Sequence, residues 1–295
     1  MGTSAQNDFV DHYGWDGDLL DLEAYFDRID YRGGTEPTLD NLASLAGAHL
    51  RAVPFENLDV MHGKEIRIDV PGLQDKIVRR RRGGYCYEAN GLLGSVLERL
   101  GYRVTGLNAR ILGGSPDHVL RSAAHTALLI DLDGRRWFLD VGVGSFGIGR
   151  PLELTDGFEA EQYAGRRARL DRTDHDMWVF RVFDGREWSN AHKFDLSRAY
   201  RADYVDANYI AQHHPRSPFH KGYVLSRHKE DEIREIQGLK LKIARAGAEP
   251  AEKRLEPEEL PGAIEEHIEI ALTGEEREAV LAKARDLSDA ELTAD

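Results

Sequence analysis

The chain is nearly without cysteine: one residue, Cys86, in 295. A single thiol forms no intramolecular disulfide, which excludes a disulfide-stapled fold and leaves nothing to indicate an oxidising compartment. Long apolar runs are missing too. No stretch reaches the ~18 apolar residues of a membrane span. The opening Met1-Gly2-Thr3-Ser4-Ala5-Gln6-Asn7-Asp8 lacks the basic-then-apolar pattern of a signal sequence and reads as a loose tail. Cations are in deficit, 39 Lys and Arg against 52 Asp and Glu, for a formal net charge of −13. That balance argues against a nucleic-acid binder, which needs clustered cations, but leaves room for an anionic cofactor held by a few local donors. The expectation is a cytoplasmic protein whose length suffices for two or three small domains sharing a core. No internal repeat is visible.

What is present begins with the setting of that one cysteine. Arg82-Gly83-Gly84-Tyr85-Cys86-Tyr87-Glu88 carries a glycine loop into a helix, which Leu92, Leu93, Val96, Leu97 and Leu100 mark by their three- and four-residue spacing and Gly101 closes. A helix start has unpaired N–H groups and partial positive charge, so a thiol there loses its proton more easily. Cys86 is therefore a candidate nucleophile, against the plainer alternative of a small buried hydrophobe.

Three strands are predicted next: Val104 to Ile111, Ala124 to Asp131 and Arg136 to Val141. Asp133-Gly134 between the last two marks a hairpin. Such a hairpin brings His125 and Asp140 to matching strand ends, where they can be neighbours. In isolation each reads as a core or cap residue. Together, within apolar runs, each offsets the other's burial. With Cys86 they divide a reaction: the thiol attacks, His125 moves a proton, and Asp140 fixes the imidazole tautomer.

Elsewhere, helices are predicted over Leu19 to Ile29, from Thr38 to about Val53 where Pro54 ends the run, and over Pro71 to Arg80. Further antiparallel strands are expected at Arg169-Leu170, Met177 to Phe183 and Trp188 to Asn190, with a turn at Phe183-Asp184-Gly185-Arg186. Beyond Gly222 come a strand, Tyr223 to Ser226, charged segments, and helices at about Pro257 to Leu272 and Gly274 to Asp286. Arg79 to Arg82 could meet phosphates but more often form a solvated helix end. Gly142, Gly144, Gly147 and Gly149 make a loop whose N–H groups could cradle a pyrophosphate, or serve as ordinary punctuation. His213-His214 lacks a complete ligand set at metal-site spacing, so no metal is expected.

Four segments, in order, are Val53-Pro54-Phe55-Glu56-Asn57-Leu58-Asp59, Arg82 to Asn90, His125-Thr126, and Asp140-Val141-Gly142-Val143-Gly144. This ordered set resembles the arylamine N-acetyltransferases. The similarity extends upstream to Tyr25-Phe26-Asp27-Arg28-Ile29, and downstream to Asn208-Tyr209 and His214-Pro215-Arg216-Ser217-Pro218-Phe219. The resemblance implies a Cys86, His125, Asp140 triad that carries acetyl from acetyl-coenzyme A, as a cysteine thioester, to an arylamine or arylhydrazine. It implies coenzyme A contacts near Gly142, Gly144 and Gly147, acceptor contacts from Phe55, Tyr85 and Val143, and support of the active-site loop by Arg82. Val143 stands where the family usually has Phe, which bears on acceptor preference. Ala89 stands where many relatives carry a polar residue, with no chemical consequence attached.

The fold expected is α/β of the α+β type with a cysteine-protease-like Cys-His-Asp core: a helical bundle over 1–100, an antiparallel barrel-like sheet over 101–205 and an α/β lid over 206–295. The partners implied are coenzyme A and a small arylamine or arylhydrazine, with neither nucleic acid nor membrane, and a homodimer as a possible assembly. Amide synthesis on a polyketide chain, and thiol hydrolase or transglutaminase-like chemistry, use the same three groups and remain alternatives. A non-catalytic binding module would need no working thiol.

Overall fold

The computed structural model describes residues 14–173, 175–215 and 217–292. The opening Met1 to Asp8, expected as a loose tail, and Arg216 of the downstream motif lie outside these ranges.

Among the described residues five α-helices precede the first strand: α1 Leu22–Ile29, α2 Leu39–Ala52, α3 Leu58–Met61, α4 Val70–Leu73 and α5 Cys86–Arg99. The helix expected from Leu19 starts later. Asp21 takes a β conformation and its carboxylate accepts from Ala24 N–H, so α1 begins after it, and Leu19 falls in a separate 3-10 turn. Thr38 caps α2 in the same way, accepting from Asn41 N–H. Asp69 caps α4, which widens over Gln74–Arg79 into π-type turns closed by the Arg80 N–H on the Asp75 carbonyl.

Eight antiparallel strands follow: β1 Arg103–Ile111, β2 His125–Leu132, β3 Arg135–Leu139, β4 Leu152–Glu153, β5 Phe158–Glu161, β6 Arg167–Arg172, β7 Trp178–Phe183 and β8 Trp188–Ala199. Their order is β4-β3-β2-β1-β8-β7-β6-β5, and the two edge strands return towards each other, so the sheet nearly closes into a barrel. The turn between β2 and β3 has Asp133 and Gly134 both at positive φ, the geometry of a two-residue hairpin. Pairing runs from Leu132↔Arg135 to Leu128↔Leu139. The third strand stops at Leu139, short of the expected Val141, because Asp140 leaves the ladder.

Beyond the sheet come α6 Arg201–His213, a second sheet of β9 Val224–His228, β10 Glu232–Gln237, β11 Lys240–Arg245 and β12 Ala251–Arg254, then α7 Leu260–Ala263 and α8 Gly274–Leu292. The helix expected over Pro257 to Leu272 is broken: a 3-10 turn, α7 and a wide turn succeed one another until Glu269 enters the left-handed region. One large core joins the N-terminal helices to the eight-stranded sheet, and a smaller one, with Leu58, Tyr223, Ile236, Leu260 and Val280, lies under the second sheet.

Candidate active site

Cys86 is the first residue of α5. The Tyr85 N–H donates to Glu88 Oε2 at 3.0 Å while the Glu88 N–H donates to the Tyr85 carbonyl, so the helix start is pinned from both sides. Glu88 is itself buried, 2.8 Å from the Lys76 ammonium. Burial pushes its carboxyl up to about 7 in spite of that cation. Lys76 also meets Asp59 at 2.8 Å and Glu56 at 3.7 Å, and Arg82 meets Glu276 of α8 at 2.7 Å and Glu56 at 3.4 Å. A buried ionic lattice therefore carries the cysteine loop. Of the four consecutive arginines, Arg82 alone turns inward.

The Phe55-Glu56-Asn57 segment binds the third part of the chain to this loop. Asn57 Nδ2 donates to the Phe219 and Gly222 carbonyls, its Oδ1 accepts from Val224 N–H, and Phe55 exchanges backbone hydrogen bonds with Ser226.

The β2–β3 register ends at Leu128↔Leu139, so Asp140 leaves the ladder beside the N-terminal end of β2, where His125 stands. His125 Nε2 is 2.6 Å from Asp140 Oδ2, with both side chains buried. Burial alone would push His125 down, but the Asp140 charge and hydrogen bond, with Cys86 adding, hold it at about 10. For Asp140, burial would raise the carboxyl, yet His125 and then His192 hold it well below the usual carboxylate range. Nε2 being on Asp140, Nδ1 is the ring nitrogen left to face Cys86, which adds to the upward push on His125. The carboxylate thus holds one ring nitrogen of His125 and leaves the other free of it.

Two side chains that the sequence reading did not single out for this site complete it. Asn90 Nδ2 donates to Asp140 Oδ1 at 2.9 Å and to the Thr126 carbonyl at 2.8 Å, and its Oδ1 accepts from Val141 N–H. Its position four residues after Cys86, on one helix face, was the available signal. His192 Nε2 lies 2.9 Å from Asp140 Oδ2. Nothing in the sequence marked it, because it lies in a stretch of β8 beyond the expected strand. His125, Asp140 and His192 form a cluster of potential metal ligands within 4.8 Å. Their separations of 2.6 and 2.9 Å are hydrogen-bond lengths, with N–H donors on the carboxylate. His213 and His214 stand exposed at the end of α6.

Gly142 has no room for a side chain, since a Cβ would come within 2.8 Å of Cys86 Cα and 2.7 Å of Asn90 Nδ2. Gly144, at φ +61°, and Gly147 bound a short turn held on β9 by His228 Nε2, which donates to the Gly144 carbonyl at 2.9 Å. Phe55 and Val143 are half-buried, as is Phe219, whose ring centroid is 6.2 Å from that of Phe55. Tyr85 is different: fully buried, edge-on to Phe219 at 5.2 Å, with its hydroxyl donated to Asn208. It supports the Phe219 ring from behind. A surface cleft of about 390 Å³ between α2, Trp137 and Tyr163 contains none of these residues.

The chain matches the N-acetyltransferase family model over residues 38–277. It is 39% identical over 233 residues to the arylamine N-acetyltransferase of Mycobacterium tuberculosis, covering 77% of this chain and 81% of that one. The crystal structure of the Nocardia farcinica arylamine N-acetyltransferase superposes with a TM-score of 0.86 at 37% identity, over 92% of this chain and 98% of the other. That of the Mycobacterium marinum arylamine N-acetyltransferase in complex with CoA gives 0.82 at 32% identity, over 90% and 99%. Sequence, fold and the buried Cys-His-Asp arrangement agree, and the chain belongs to the arylamine N-acetyltransferase family.

Proposed function

We propose that this enzyme transfers an acetyl group from acetyl-coenzyme A to the nitrogen of an arylamine or arylhydrazine by a ping-pong route through a Cys86 thioester. The observation that carries the reading is the 2.6 Å contact of His125 Nε2 with Asp140 Oδ2, beside a thiol at a helix start. The Cys86 sulfur adds to the acetyl carbonyl, and the coenzyme A thiol departs with a proton from His125. The amine then adds to the thioester carbonyl, His125 takes the amine proton, and the Cys86 sulfur leaves. Asp140 stabilises the imidazolium at both stages.

The turn from Gly142 to Gly147 is our candidate for the donor, since its backbone lies beside both Cys86 and Phe55; the Mycobacterium marinum relative is known with CoA bound. Phe55 and Val143, with Phe219, are our candidates for the acceptor wall, and Tyr85 acts through Phe219. Among the described residues no helix is long and apolar enough to cross a membrane. A cytoplasmic site of action belongs to the proposal, because a thiol nucleophile must stay reduced.

Intact-mass analysis after incubation with acetyl-, propionyl- and malonyl-coenzyme A, without acceptor, tests the route. We expect one acetyl group on Cys86, discharged on adding an arylamine. A label elsewhere, or none on active enzyme, would sink the mechanism; loss of the group to water would favour a hydrolase, and preference for a longer acyl chain an amide synthase.

A further inference from the structure

Asp140 is held by more than the imidazole it faces. Its Oδ1 accepts from Asn90 Nδ2 and Gly142 N–H, and its Oδ2 is shared by His125 Nε2 at 2.6 Å and His192 Nε2 at 2.9 Å. An ionised carboxylate offers about four lone-pair sites, and all four are taken.

The second histidine arrives from across the sheet. His125 of β2 pairs with Ala109 of β1, and His192 of β8 pairs with Ile111 of the same strand, so the two stand diagonally on one face with ring centroids 5.0 Å apart. His192 is fully buried, and the Phe138, Phe180 and Phe194 rings lie 5.0–5.8 Å from its own. Burial in that box pushes the imidazole down, so it is neutral. A carboxylate only accepts, so the single proton of the neutral ring sits on Nε2, and Nδ1 has no partner among the described residues. A phenylalanine would fill the same box without burying an unpaired nitrogen. What the histidine adds is the hydrogen bond to Asp140.

The titratable groups facing His192 are His125 and Asp140. Its other neighbours present Ile111 from β1, Phe138 from β3 and Phe180 from β7. Lys193, next on its own strand, donates to the Asp117 carbonyl.

We propose that His192 is a positioning residue for acyl transfer: its neutral Nε2–H fixes the plane and the charge of Asp140, and through Asp140 the tautomer of His125. The inference rests on the Cys-His-Asp reading above. With this donor, Asp140 stays ionised to lower pH; without it, the carboxylate protonates earlier and its grip on His125 loosens.

Three proteins test this: wild type, His192→Phe, which suits the aromatic box but has no donor, and His192→Gln, which places an N–H near Nε2. Cys86 acetylation by acetyl-coenzyme A is followed in single turnover against pH. The Phe variant should lose about ten- to a hundredfold in rate, the size of one hydrogen bond to a charged group. Its acid limb should move up by about one pH unit, with KM for acetyl-coenzyme A unchanged, and Gln should restore most of both. Superimposed profiles for Phe and wild type, or equal losses for Phe and Gln, would overturn the proposal. Should His192→Phe not fold, nitrogen-15 NMR of the wild type decides: at neutral pH His192 should be in the neutral Nε2–H form, and a charged or Nδ1–H ring there would refute it. Failure of the triad reading is distinct, for then wild-type Cys86 takes up no acetyl group at all.

Discussion

His125 Nε2 and Asp140 Oδ2 meet at 2.6 Å because a two-residue turn sets the β2–β3 register and Asp140 steps out of the ladder one residue past Leu139. Asp140→Asn keeps the shape and leaves an oxygen for Asn90 and Gly142. It turns an amide NH₂ towards the two histidines, which can accept it by moving their protons to Nδ1. The His125 nitrogen facing Cys86 is then occupied. Acetylation should fall by about 10³–10⁴ with the fold retained, read by stopped-flow acylation and circular dichroism. A near-normal rate would reduce Asp140 to a structural cap.

The same pair shapes stability against pH. His125 is raised in the folded state, so its contribution is whole below ~6.5 and is lost as pH rises through about 10. Asp140 is depressed, so its contribution is whole above ~3.9 and is lost as pH falls below that. The difference in Tm between wild type and Asp140→Asn should be widest between about pH 4 and 6.5 and should shrink on both sides. A difference constant across that range and up to about pH 10 would mean that His125 carries no charge in the folded protein.

Lys76 carries the cysteine loop through Asp59 and Glu88. Lys76→Met strands the Asp59 carboxylate and leaves Glu88 without its partner, and should destabilise the protein by ~3–5 kcal/mol, measured by urea unfolding. Adding Asp59→Asn should recover part of the loss, because the carboxylate that Lys76 keeps ionised is then gone. No recovery would place the defect in packing instead.

Val143 is half-buried between Gly142 and Gly144. Val143→Phe adds a ring able to meet an aromatic acceptor edge-to-face, a contact of ~0.5–1.5 kcal/mol. The specificity constant for a small aniline should rise by up to about tenfold, ~1.4 kcal/mol being one decade, while a bulky arylamine should lose. If both move by one factor, residue 143 is not in the acceptor wall and Phe55 and Phe219 become the candidates.

Gly142→Ala places a methyl 2.8 Å from Cys86 Cα, where only backbone movement can relieve it. Overpacking of that kind destabilises by ~1–3 kcal/mol, and acetylation should drop more than stability does, since the displaced atom carries the proposed nucleophile. Comparing single-turnover rate with urea midpoint separates the two effects.

How far the sequence reaches differs from element to element. The β2–β3 hairpin was legible because Asp-Gly between two apolar runs is a local signal with a local cause. Helix α6 was not, because its buried face is Tyr204, Asn208, Ala211 and Gln212: the spacing is helical, but two of the four are polar. Strands β10 to β12 read as charged segments because ion pairs such as Arg234–Glu232 and Lys240–Glu252 populate them.

By itself the sequence determined the setting of Cys86, the helix that presents it, and the hairpin joining His125 to Asp140. Each is written in a short window of glycine placement, apolar period or turn chemistry. Only the tertiary structure decided what surrounds them. Asn90 meets Asp140 across 50 residues and His192 meets it across 52, while Arg82 reaches Glu276 across 194. Polar partners that meet through a shared core leave no periodic trace in either segment. Their pairing exists only once burial has removed water as the competing partner.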